Sequence, residues 1–238
     1  MAFAHRGDGE AAPENTAAAF ESAVGLGFRY LETDVHCTRD GALIAFHDDR
    51  LDRVTDQRGS IARLDYKDVA GARVSGREPI PLMEELLGNF PEIRFNIDPK
   101  ADAAVGPLIE VIRRTRAQER VCIGSFSDKR LKQIRSALPG ICTSMATLET
   151  TRARLSSIGL PIGRLQAACA QVPVVWNGIR VIDRRFVTAM KSRSLQVHVW
   201  TVNESKEMER LLDLGIDGLM TDRPRVLKEL LLKRGQWA

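Results

Sequence analysis

The chain has 238 residues, of which 44% are hydrophobic, 28% charged and 5% aromatic. This composition excludes a disordered chain, and the length suits one large α/β domain or two small domains. The formal net charge of +4 favours anionic substrates, but basic and acidic residues are interleaved, which argues against nucleic acid as a partner.

The cysteines and the hydropathy pattern predict the setting of the protein. The four cysteines, at 37, 122, 142 and 169, form no CxxC pair, so we expect free thiols. Cys122, Cys142 and Cys169 each lie in an apolar run and are expected to be buried in core strands. Free thiols are typical of a reducing compartment. No apolar stretch approaches the roughly 18 residues that a membrane span needs, and no basic-then-apolar leader follows the first residue. We therefore predict a cytoplasmic protein without stable membrane insertion.

Short apolar runs alternate with amphipathic stretches along the whole chain. The runs predict strands at 2–5, 28–34, 42–46, 93–97, 120–124, 141–145, 165–169, 195–199 and 217–220. Helical periodicity lies between them, at 15–26, 81–88, 101–116, 127–137, 147–157, 183–193, 203–214 and 224–234. This alternation is typical of parallel βαβ units, and the length predicts a TIM (β/α)8 barrel as a single domain, 1–238. A doubly wound open sheet is the alternative.

Residues with the chemistry of N-terminal caps stand at several of the predicted helix starts. Side-chain oxygens that can accept from unpaired backbone N–H groups predict N-caps at Asn15, Ser127 and Asn203. Pro224 suits the first turn of the last helix.

Residues 48–80 interrupt the alternation and show no clear helix or strand period. A loop of this length is usually a functional segment or a small inserted subdomain. A cap over the site and a loose surface excursion both stay open.

Acidic residues stand in alternate spacing near two predicted strand ends. Glu32 and Asp34 share one face of a strand, and Asp98 with Lys100 repeats the spacing. Like charges on one face repel unless protons or a cation compensate them. Alone, the Glu32–Asp34 pair fits a solvent-facing position as well as a metal site. Three carboxylates without a thiolate favour a hard cation, Mg²⁺ or Ca²⁺, over Zn²⁺.

Two of the four histidines, His5 and His47, also lie at strand ends. Imidazole exchanges protons near neutral pH, so the pair suits acid–base cleavage of a phosphodiester, although each alone also fits a structural role. Arg6 and Lys100 offer the positive charge that a phosphate needs. The other two histidines are interpreted as structural, because one alternates away from the acidic pair and one lies in an apolar run: His36 and His198.

A series of short motifs runs along nearly the whole chain. It comprises His5-Arg6-Gly7, Pro13-Glu14-Asn15-Thr16, Glu32-Thr33-Asp34-Val35, Asp40-Gly41, His47-Asp48, Phe95-Asn96-Ile97-Asp98-Pro99-Lys100, His198-Val199-Trp200-Thr201-Val202-Asn203 and Thr221-Asp222-Arg223-Pro224. In kind and order these motifs resemble the glycerophosphodiester phosphodiesterase family, a phospholipase C-like phosphodiesterase barrel. No one motif would suffice, but their common order makes chance a poor explanation.

The resemblance implies metal-dependent hydrolysis of a small-molecule glycerophosphodiester to glycerol 3-phosphate and an alcohol. The implied general acid and base are His5 and His47. The implied ligands of one divalent cation, Mg²⁺ or Ca²⁺ and also Mn²⁺, are Glu32, Asp34 and Asp98. The implied phosphate-binding residues are Arg6 and Lys100, of which Lys100 also neutralises charge in the transition state. Trp200 is implied to line the mouth against the alcohol, and Asn15 to order the first loop. Residues 48–80 are implied to be the family's small insertion after the second barrel strand.

Two residues depart from the family pattern. The third acidic ligand is often Glu in the family and is the shorter Asp98 here. Pro99, between Asp98 and Lys100, removes a backbone donor and stiffens the strand end. Neither change removes a needed functional group.

Three other functions are considered. A lysophospholipase D would use the same site on a lipid-bearing diester, but 48–80 offers few apolar residues for an acyl chain. Residues 7–12 read as the G-x-G-x-x-A of a dinucleotide-binding oxidoreductase, yet Asp8 and Glu10 would bring negative charge to a pyrophosphate. A catalytically silent phosphate-binding module is disfavoured, because all candidates for proton transfer and metal binding are present.

Overall fold

Parallel strands close on themselves in this computed structural model, which describes residues 1–237. Within those residues the barrel has eight strands: β1 (Ala2–His5), β2 (Tyr30–Cys37), β3 (Arg94–Pro99), β4 (Val121–Ile123), β5 (Cys142–Thr143), β6 (Cys169–Pro173), β7 (Gln196–Trp200) and β8 (Gly218–Thr221). β1 pairs with both β2 and β8, and β5 meets β6 at a parallel bridge between Ser144 and Cys169. The predicted TIM barrel is confirmed, and the open sheet is wrong.

Helices alternate with the strands and surround the barrel. They are α1 (Ala17–Gly25), α2 (Tyr66–Val69), α3 (Met83–Asn89), α4 (Val105–Arg114), α5 (Asp128–Ala137), α6 (Thr147–Ser156), α7 (Arg184–Lys191), α8 (Ser205–Leu214) and α9 (Pro224–Lys233). The main core lies between helices and strands; α4, for example, buries one helical face, Val105, Leu108, Ile109 and Ile112. No helix described in residues 1–237 is long and apolar enough to cross a membrane.

Two predicted strands differ from the observed ones. β2 does not end at Asp34 but continues for three residues, which pair antiparallel with a short strand, Leu43–Ala45. The strand predicted at 165–169 is wrong, because the barrel strand is β6, which begins where the predicted strand ends. Gln171 interrupts the apolar pattern of β6, since its polar side chain faces the barrel interior rather than the helices.

The predicted helix starts are correct in part. The cap at Ser127 is confirmed, and α9 begins at its predicted proline. The caps predicted at Asn15 and Asn203 are wrong, because both side chains are used at the barrel mouth. Thr16 caps α1 instead, and α8 begins after Glu204.

The insertion segment, residues 48–80, contains short ordered elements, as a small inserted subdomain would, although the sequence did not predict the individual elements. They are two 3₁₀ turns, helix α2 and an antiparallel pair of strands: Leu51–Arg53, Ile61–Arg63, Tyr66–Val69, and Arg73–Val74 with Glu78–Pro79. A second small core holds them together, with buried Ile44, Phe46, Leu51, Ile61, Val69 and Val74 among its members. The interpretation as a loose surface excursion is therefore wrong.

The barrel interior is packed rather than open. Gln171 donates from Nε2 to Oδ1 of Asn96 at 2.8 Å, and the same nitrogen lies 3.4 Å from Nδ1 of His198. His198 is buried, as expected, and packs on Phe3 with ring centroids 5.0 Å apart. Position 218 must be glycine, because a Cβ there would lie 2.8 Å from His198 and 2.9 Å from Phe3.

Three cysteines lie close together on neighbouring strands. Sγ of Cys122 on β4 is 3.9 Å from Sγ of Cys169 on β6, and Cys142 on the intervening β5 is aligned with Cys122. All four cysteines within residues 1–237 are free thiols, as predicted. Cys169 is buried, whereas Cys122 and Cys142 are only partly buried, contrary to the prediction.

Candidate active site

A cavity of about 470 Å³ opens at the carboxyl ends of the barrel strands. It is lined by every site residue predicted from the sequence: His5, Arg6, Glu32, Asp34, His47, Asp98, Lys100 and Trp200. The fold explains this convergence, because the carboxyl ends of parallel strands meet at one face of a barrel. The structure therefore brings the predicted residues together in one place.

His5, at the end of β1, is fixed between two carboxylates. Its Nδ1 lies 2.5 Å from Oδ1 of Asp222, and its Nε2 lies 3.6 Å from Oε2 of Glu32. Asn203 donates to the other oxygen of Asp222 at 2.8 Å. Burial alone would lower the pKa of His5, but Glu32 and Asp222 raise it above its ordinary value. The imidazole is thus held in one orientation and favoured in its protonated form.

His47 has a similar carboxylate partner. Its Nδ1 lies 2.6 Å from Oδ1 of Asp48, and Arg53 of the insertion segment donates to both oxygens of Asp48 at 2.6 and 3.0 Å. The hydrogen bonds from Arg53 lower the pKa of Asp48 to about 2. Nε2 of His36 lies 3.0 Å from the backbone carbonyl oxygen of His47, so His36 has the structural contact that its strand position predicts.

Three acidic side chains of β2 and β3 form one cluster with the side chains of Lys100 and Arg6. Asp34 and Asp98 are aligned across the two strands. Nζ of Lys100 lies between them, 2.9 Å from Oδ1 of Asp34 and 3.1 Å from Oδ2 of Asp98. Nε of Arg6 lies 3.0 Å from the other oxygen of Asp34, without the alignment of a hydrogen bond. Glu32 accepts from the backbone N–H of Arg6 at 3.3 Å.

Burial and neighbouring charge set the ionisation of this cluster. Burial and the negative charge of Asp34 raise the pKa of Glu32 to about 7, and burial also raises the pKa of Asp98. Burial would raise the pKa of Asp34 too, but Lys100 and Arg6 lower it below its ordinary value. The positive charges of Lys100 and Arg6 therefore do not fully stabilise the three carboxylates in their ionised form.

The three carboxylates have the chemistry that a hard cation requires, but they are not arranged around one. Carboxylate oxygens are the ligands that Mg²⁺ and Ca²⁺ prefer, and a bound cation would lower the raised pKa values of Glu32 and Asp98. Among residues 1–237, however, no group of three or more His, Cys, Asp or Glu side chains is placed to hold a metal ion. Lys100 now neutralises two of the three carboxylates that would have to converge.

The two departures from the family pattern leave β3 intact. Pro99 is aligned with Val35 of β2, and the N–H of Lys100 donates to the carbonyl of Val35 at 3.0 Å. By strand alternation the nitrogen of Pro99 faces β4, which already ends at Ile123, so no ladder bond is lost there. Asp98, although shorter than Glu, still lines the cavity.

The loop after β1 is ordered by two residues in the left-handed region. Arg6 and Asn15 each have a φ of 57°, and the N–H of Asn15 donates to the carbonyl of Arg6 at 2.9 Å. Oδ1 of Asn15 accepts from Thr33 at 2.8 Å, and its Nδ2 donates to Asp34 at 3.4 Å. Glu14 accepts from Arg6 at 3.2 Å. The loop is therefore tied directly to the acidic cluster.

Another wall of the cavity is apolar, and only Trp200 was predicted there. Phe126, which follows β4, packs edge-on against Trp200 with ring centroids 5.7 Å apart and stacks on Trp176 at 5.3 Å. Trp176 belongs to a hairpin of residues 175–180, between β6 and α7. Leu155 of α6 extends the wall. These side chains form the apolar side of the cavity.

The two aspartates that hold the histidines, Asp48 and Asp222, were not among the predicted site residues. Asp48 directly follows His47, and Asp222 follows β8 at the mouth of the barrel. The available signal was a position directly after a strand, the same as that of Asp98. Asn203 was assigned to a helix cap, but its side chain bonds Asp222.

The glycines at 7–12 serve the loop rather than a dinucleotide. α1 begins only at Ala17, so no helix N-terminus follows the G-x-G-x-x-A pattern directly. Asp8 is buried and lies 3.1 Å from Arg225. Gly7 has a φ of 88°, and a Cβ there would lie 2.7 Å from the backbone of α1. The dinucleotide-binding interpretation is therefore wrong.

Comparison with known proteins identifies the family. Residues 5–226 match the model of the glycerophosphoryl diester phosphodiesterase family. A Mycobacterium tuberculosis protein named "Probable glycerophosphodiester phosphodiesterase 2" is 40% identical, covering 100% of this chain and 92% of that protein. A glycerophosphodiester phosphodiesterase of Caldanaerobacter subterraneus is 31% identical over 99% of each. A human lysophospholipase D is more distant, at 27% identity over 96% of this chain and 85% of its own length.

Solved structures share the fold. A glycerophosphodiester phosphodiesterase from Agrobacterium tumefaciens has a TM-score of 0.79 at 20% identity, covering 96% of this chain and 99% of that one. An Oleispira antarctica phosphodiesterase, solved in complex with the product sn-glycerol-3-phosphate, has a TM-score of 0.82 at 21% identity, covering 97% and 96%. With the family match and the relative at 40% identity, these findings show that the chain belongs to the glycerophosphoryl diester phosphodiesterase family and is a phosphoric diester hydrolase.

Proposed function

We propose that this chain hydrolyses glycerophosphodiesters to glycerol 3-phosphate and an alcohol, with His5 and His47 exchanging the protons. One observation carries the proposal: each imidazole has an aspartate at Nδ1, Asp222 and Asp48 respectively, and each lines the cavity. A carboxylate at one ring nitrogen fixes the tautomer, which leaves Nε2 to exchange a proton with a small-molecule phosphodiester.

Arg6 and Lys100 are the proposed phosphate ligands. Both line the cavity, and both now contact carboxylates with which a substrate phosphate would compete. Arginine offers a fork of donors and lysine a compact charge, so the two can contact different phosphate oxygens. Their positive charge stabilises the negative charge that develops on those oxygens in the transition state.

The proton transfers are shared between the two imidazoles. One takes the proton of the attacking hydroxyl, which comes from water or from the substrate's own glycerol through a cyclic phosphate. The other gives a proton to the departing alcohol oxygen as its bond to phosphorus breaks. Through the cyclic route, water opens the ring in a second step, and the two imidazoles exchange roles.

We further propose that Glu32, Asp34 and Asp98 hold one divalent cation, Mg²⁺ or Ca²⁺, with Mn²⁺ a third candidate. The raised pKa values of Glu32 and Asp98 support this, because buried carboxylates without sufficient positive charge stabilise a bound cation. When bound, such a cation draws electron density from phosphate oxygens. Binding of the cation competes with the present contacts of Lys100 to Asp34 and Asp98.

A substrate panel tests the proposal. Product release is measured from glycerophosphocholine, glycerophosphoethanolamine and glycerophosphoinositol after EDTA treatment and after Mg²⁺, Ca²⁺ or Mn²⁺ is restored. We expect glycerol 3-phosphate from at least one diester, and only with metal restored. Release that is unchanged in EDTA would refute the metal proposal, and no release from any diester would refute the substrate proposal.

A second candidate, lysophospholipase D activity, is favoured by the apolar wall. Phe126, Leu155, Trp176 and Trp200 offer an acyl-bearing glycerol or a bulky alcohol a dry surface that the insertion segment does not provide. The human relative named for this activity is more distant than the glycerophosphodiester phosphodiesterases. A higher kcat/KM for lysophosphatidylcholine than for glycerophosphocholine would make it the principal activity. The cytoplasmic setting stays a prediction.

A further inference from the structure

Exposed apolar side chains are concentrated around the cavity mouth. Of the ten large apolar side chains that are exposed within residues 1–237, six either line the cavity or directly neighbour a residue that does. Four of the six line it: Phe126, Leu155, Trp176 and Ile179. The other two are Leu148, next to Thr147 in the first turn of α6, and Val175, next to Trp176. We name these six residues the apolar rim, and a concentration of this kind is typical of a binding surface.

A hairpin carries the most exposed part of the apolar rim. Val175–Trp176 pairs antiparallel with Ile179–Arg180 across a two-residue turn, whose positive φ angles of 48° and 79° are typical of tight hairpins. Val175 is 50% exposed and Ile179 66% exposed. A two-stranded ribbon gains little stability from its own apolar surface, so folding does not account for these side chains.

Positive charge accompanies the apolar rim. Residues 147–185 contain six arginines and two acidic residues, an excess of four that equals the +4 of the whole chain. Both acidic side chains are already paired: Glu149 is 2.8 Å from Arg135, and Asp183 is 2.7 Å from Arg154. The other five arginines are exposed and form no ion pair with any residue of 1–237. Three of them follow β6 on the cavity face, Arg180, Arg184 and Arg185, and two lie on α6 and the connection after it, Arg152 and Arg164.

Two of these arginines stand where a helix disfavours them. Arg184 and Arg185 occupy the first turn of α7, next to the positive end of the helix dipole. That end of α7 follows the hairpin, so it lies on the same face of the barrel as the cavity mouth. Helix stability therefore does not explain this charge, whereas an anionic partner in front of the mouth does.

We propose that the apolar rim docks the barrel mouth onto an anionic lipid surface. Exposed Trp, Ile, Leu and Val side chains would enter the interfacial region while the surrounding arginines contact anionic headgroups. This inference goes beyond the proposed function, because it concerns where the enzyme meets its substrates and not which bond it cleaves. It requires no membrane-spanning helix.

A lipid surface fits the apolar rim better than a second copy of this chain does. Two identical faces that each carry the excess positive charge would repel each other. A protein seated on Phe126, Trp176 and Ile179 would also close the cavity that these residues line. A lipid surface instead attracts the arginines and can present a phosphodiester headgroup to the cavity.

Vesicle flotation tests the docking. The whole chain is mixed with vesicles of phosphatidylcholine alone or with about one third phosphatidylglycerol, at low and high salt. We expect binding to the anionic vesicles that weakens with salt. The double variant L148D/V175D should bind at least about tenfold more weakly, because both positions are exposed and would carry charge into the interface. R180E/R184E should lose about as much.

A matched control separates docking from general surface change. Leu232 of α9 is 54% exposed, as Val175 is at 50%, but it lies outside the apolar rim, so L232D should bind vesicles as the unmodified chain does. Neither Leu148 nor Val175 lines the cavity, so L148D/V175D should keep its activity on soluble glycerophosphodiesters, which also shows that it is folded. Failure of the substrate proposal would leave the vesicle result unaffected.

Four outcomes would overturn the proposal. The first is absence of binding by the unmodified chain to anionic vesicles. The second is equal binding by L148D/V175D, and the third is an equal loss in L232D. The fourth is a dimer of the unmodified chain in sedimentation that L148D/V175D makes monomeric, since the apolar rim would then be a subunit interface.

Discussion

The cavity mouth joins two unlike halves. The polar half comes from β1, β2, β3 and the strand before the insertion segment, and it contains His5, Glu32, Asp34, His47, Asp98 and Lys100. The apolar half comes mainly from the connections after β4, β5 and β6, together with the end of β7, and contains Phe126, Leu155, Trp176, Ile179 and Trp200. Charged groups are thus fixed at strand ends, whereas most of the apolar surface is built from loops and a hairpin.

The polar half places like charges on neighbouring strands at a cost in stability, whereas the apolar half does not. Asp34 and Asp98 are aligned on neighbouring strands, an arrangement that destabilises a sheet unless the charges are compensated. The barrel ladder nevertheless holds them in place, so the carboxylates cannot separate. The apolar half has no such constraint, because its residues lie on connections that can differ in length and conformation.

Replacing a histidine should break the polar half alone. We expect His47→Ala to lower kcat on a soluble glycerophosphodiester by about 10²- to 10⁴-fold, because it removes one of the two proton-exchanging groups. Steady-state kinetics with metal present measures this. His36→Gln, which changes a histidine behind His47, should stay within about tenfold of the unmodified enzyme. Turnover of His47→Ala at the unmodified rate would contradict the assignment.

Weakening the acidic cluster should also affect the polar half alone. Glu32→Gln removes a proposed metal ligand, so the concentration of divalent cation that restores half of the activity should rise by about a hundredfold. Titration of the EDTA-treated enzyme with Mg²⁺ or Ca²⁺ gives this value. Glu10→Gln, a change to an exposed acidic side chain of the nearby loop, serves as the control and should leave the titration unchanged. The same metal requirement in both variants would exclude Glu32 as a ligand.

Acidification should destabilise the folded chain through the buried histidine of the barrel interior, His198. Burial lowers the pKa of His198 to about 4 from 6.5, so the unfolded chain binds a proton between these values that the folded chain refuses. Stability is therefore present above pH 6.5 and lost as the pH falls toward 4, by about 2 kcal/mol between pH 7 and pH 5. Urea unfolding of the unmodified chain and of His198→Gln at both pH values measures the difference, which the variant should lack.

Removing a ring from the apolar half should change selectivity more than rate. The faces of Trp176 and Trp200 can bind a quaternary ammonium, so Trp176→Ala should lower kcat/KM for glycerophosphocholine about fivefold relative to glycerophosphoinositol. Ile179→Ala removes a neighbouring side chain without a ring and should affect the two substrates alike. An equal loss on both diesters in Trp176→Ala would show that the aromatic wall does not read the alcohol.

The polar half could be predicted from the sequence because of one geometric rule. Parallel strands end at a common face, so His5, Glu32 and Asp98 share a site whatever path the connections follow. The choice between uses of one polar side chain could not be predicted in the same way. Asn203 precedes α8 and has the chemistry of a cap, and only the tertiary position of Asp222 makes their hydrogen bond preferable.

Most of the apolar half could not be predicted from the sequence. Phe126 and Trp176 are far apart in the chain and stack only because β4 and β6 bring their connections together. One local signal was available: Asn177-Gly178 between apolar residues is typical of a hairpin turn. The strand predicted at 165–169 was misplaced for a similar reason. Gln171 interrupts the apolar run of β6, because its side chain bonds Asn96 inside the barrel.

The closure of the barrel gives these halves different mechanical properties. β2 and β3 are aligned from Tyr30 to Val35, whereas β5 is a two-residue strand that meets β6 at one bridge, Ser144 to Cys169. Local opening costs less free energy where fewer backbone hydrogen bonds must break. The seam between β5 and β6 lies at the base of the apolar half, so we expect this side to open locally more easily than the polar half. The long ladder of β2 and β3 holds the acidic cluster in a fixed arrangement.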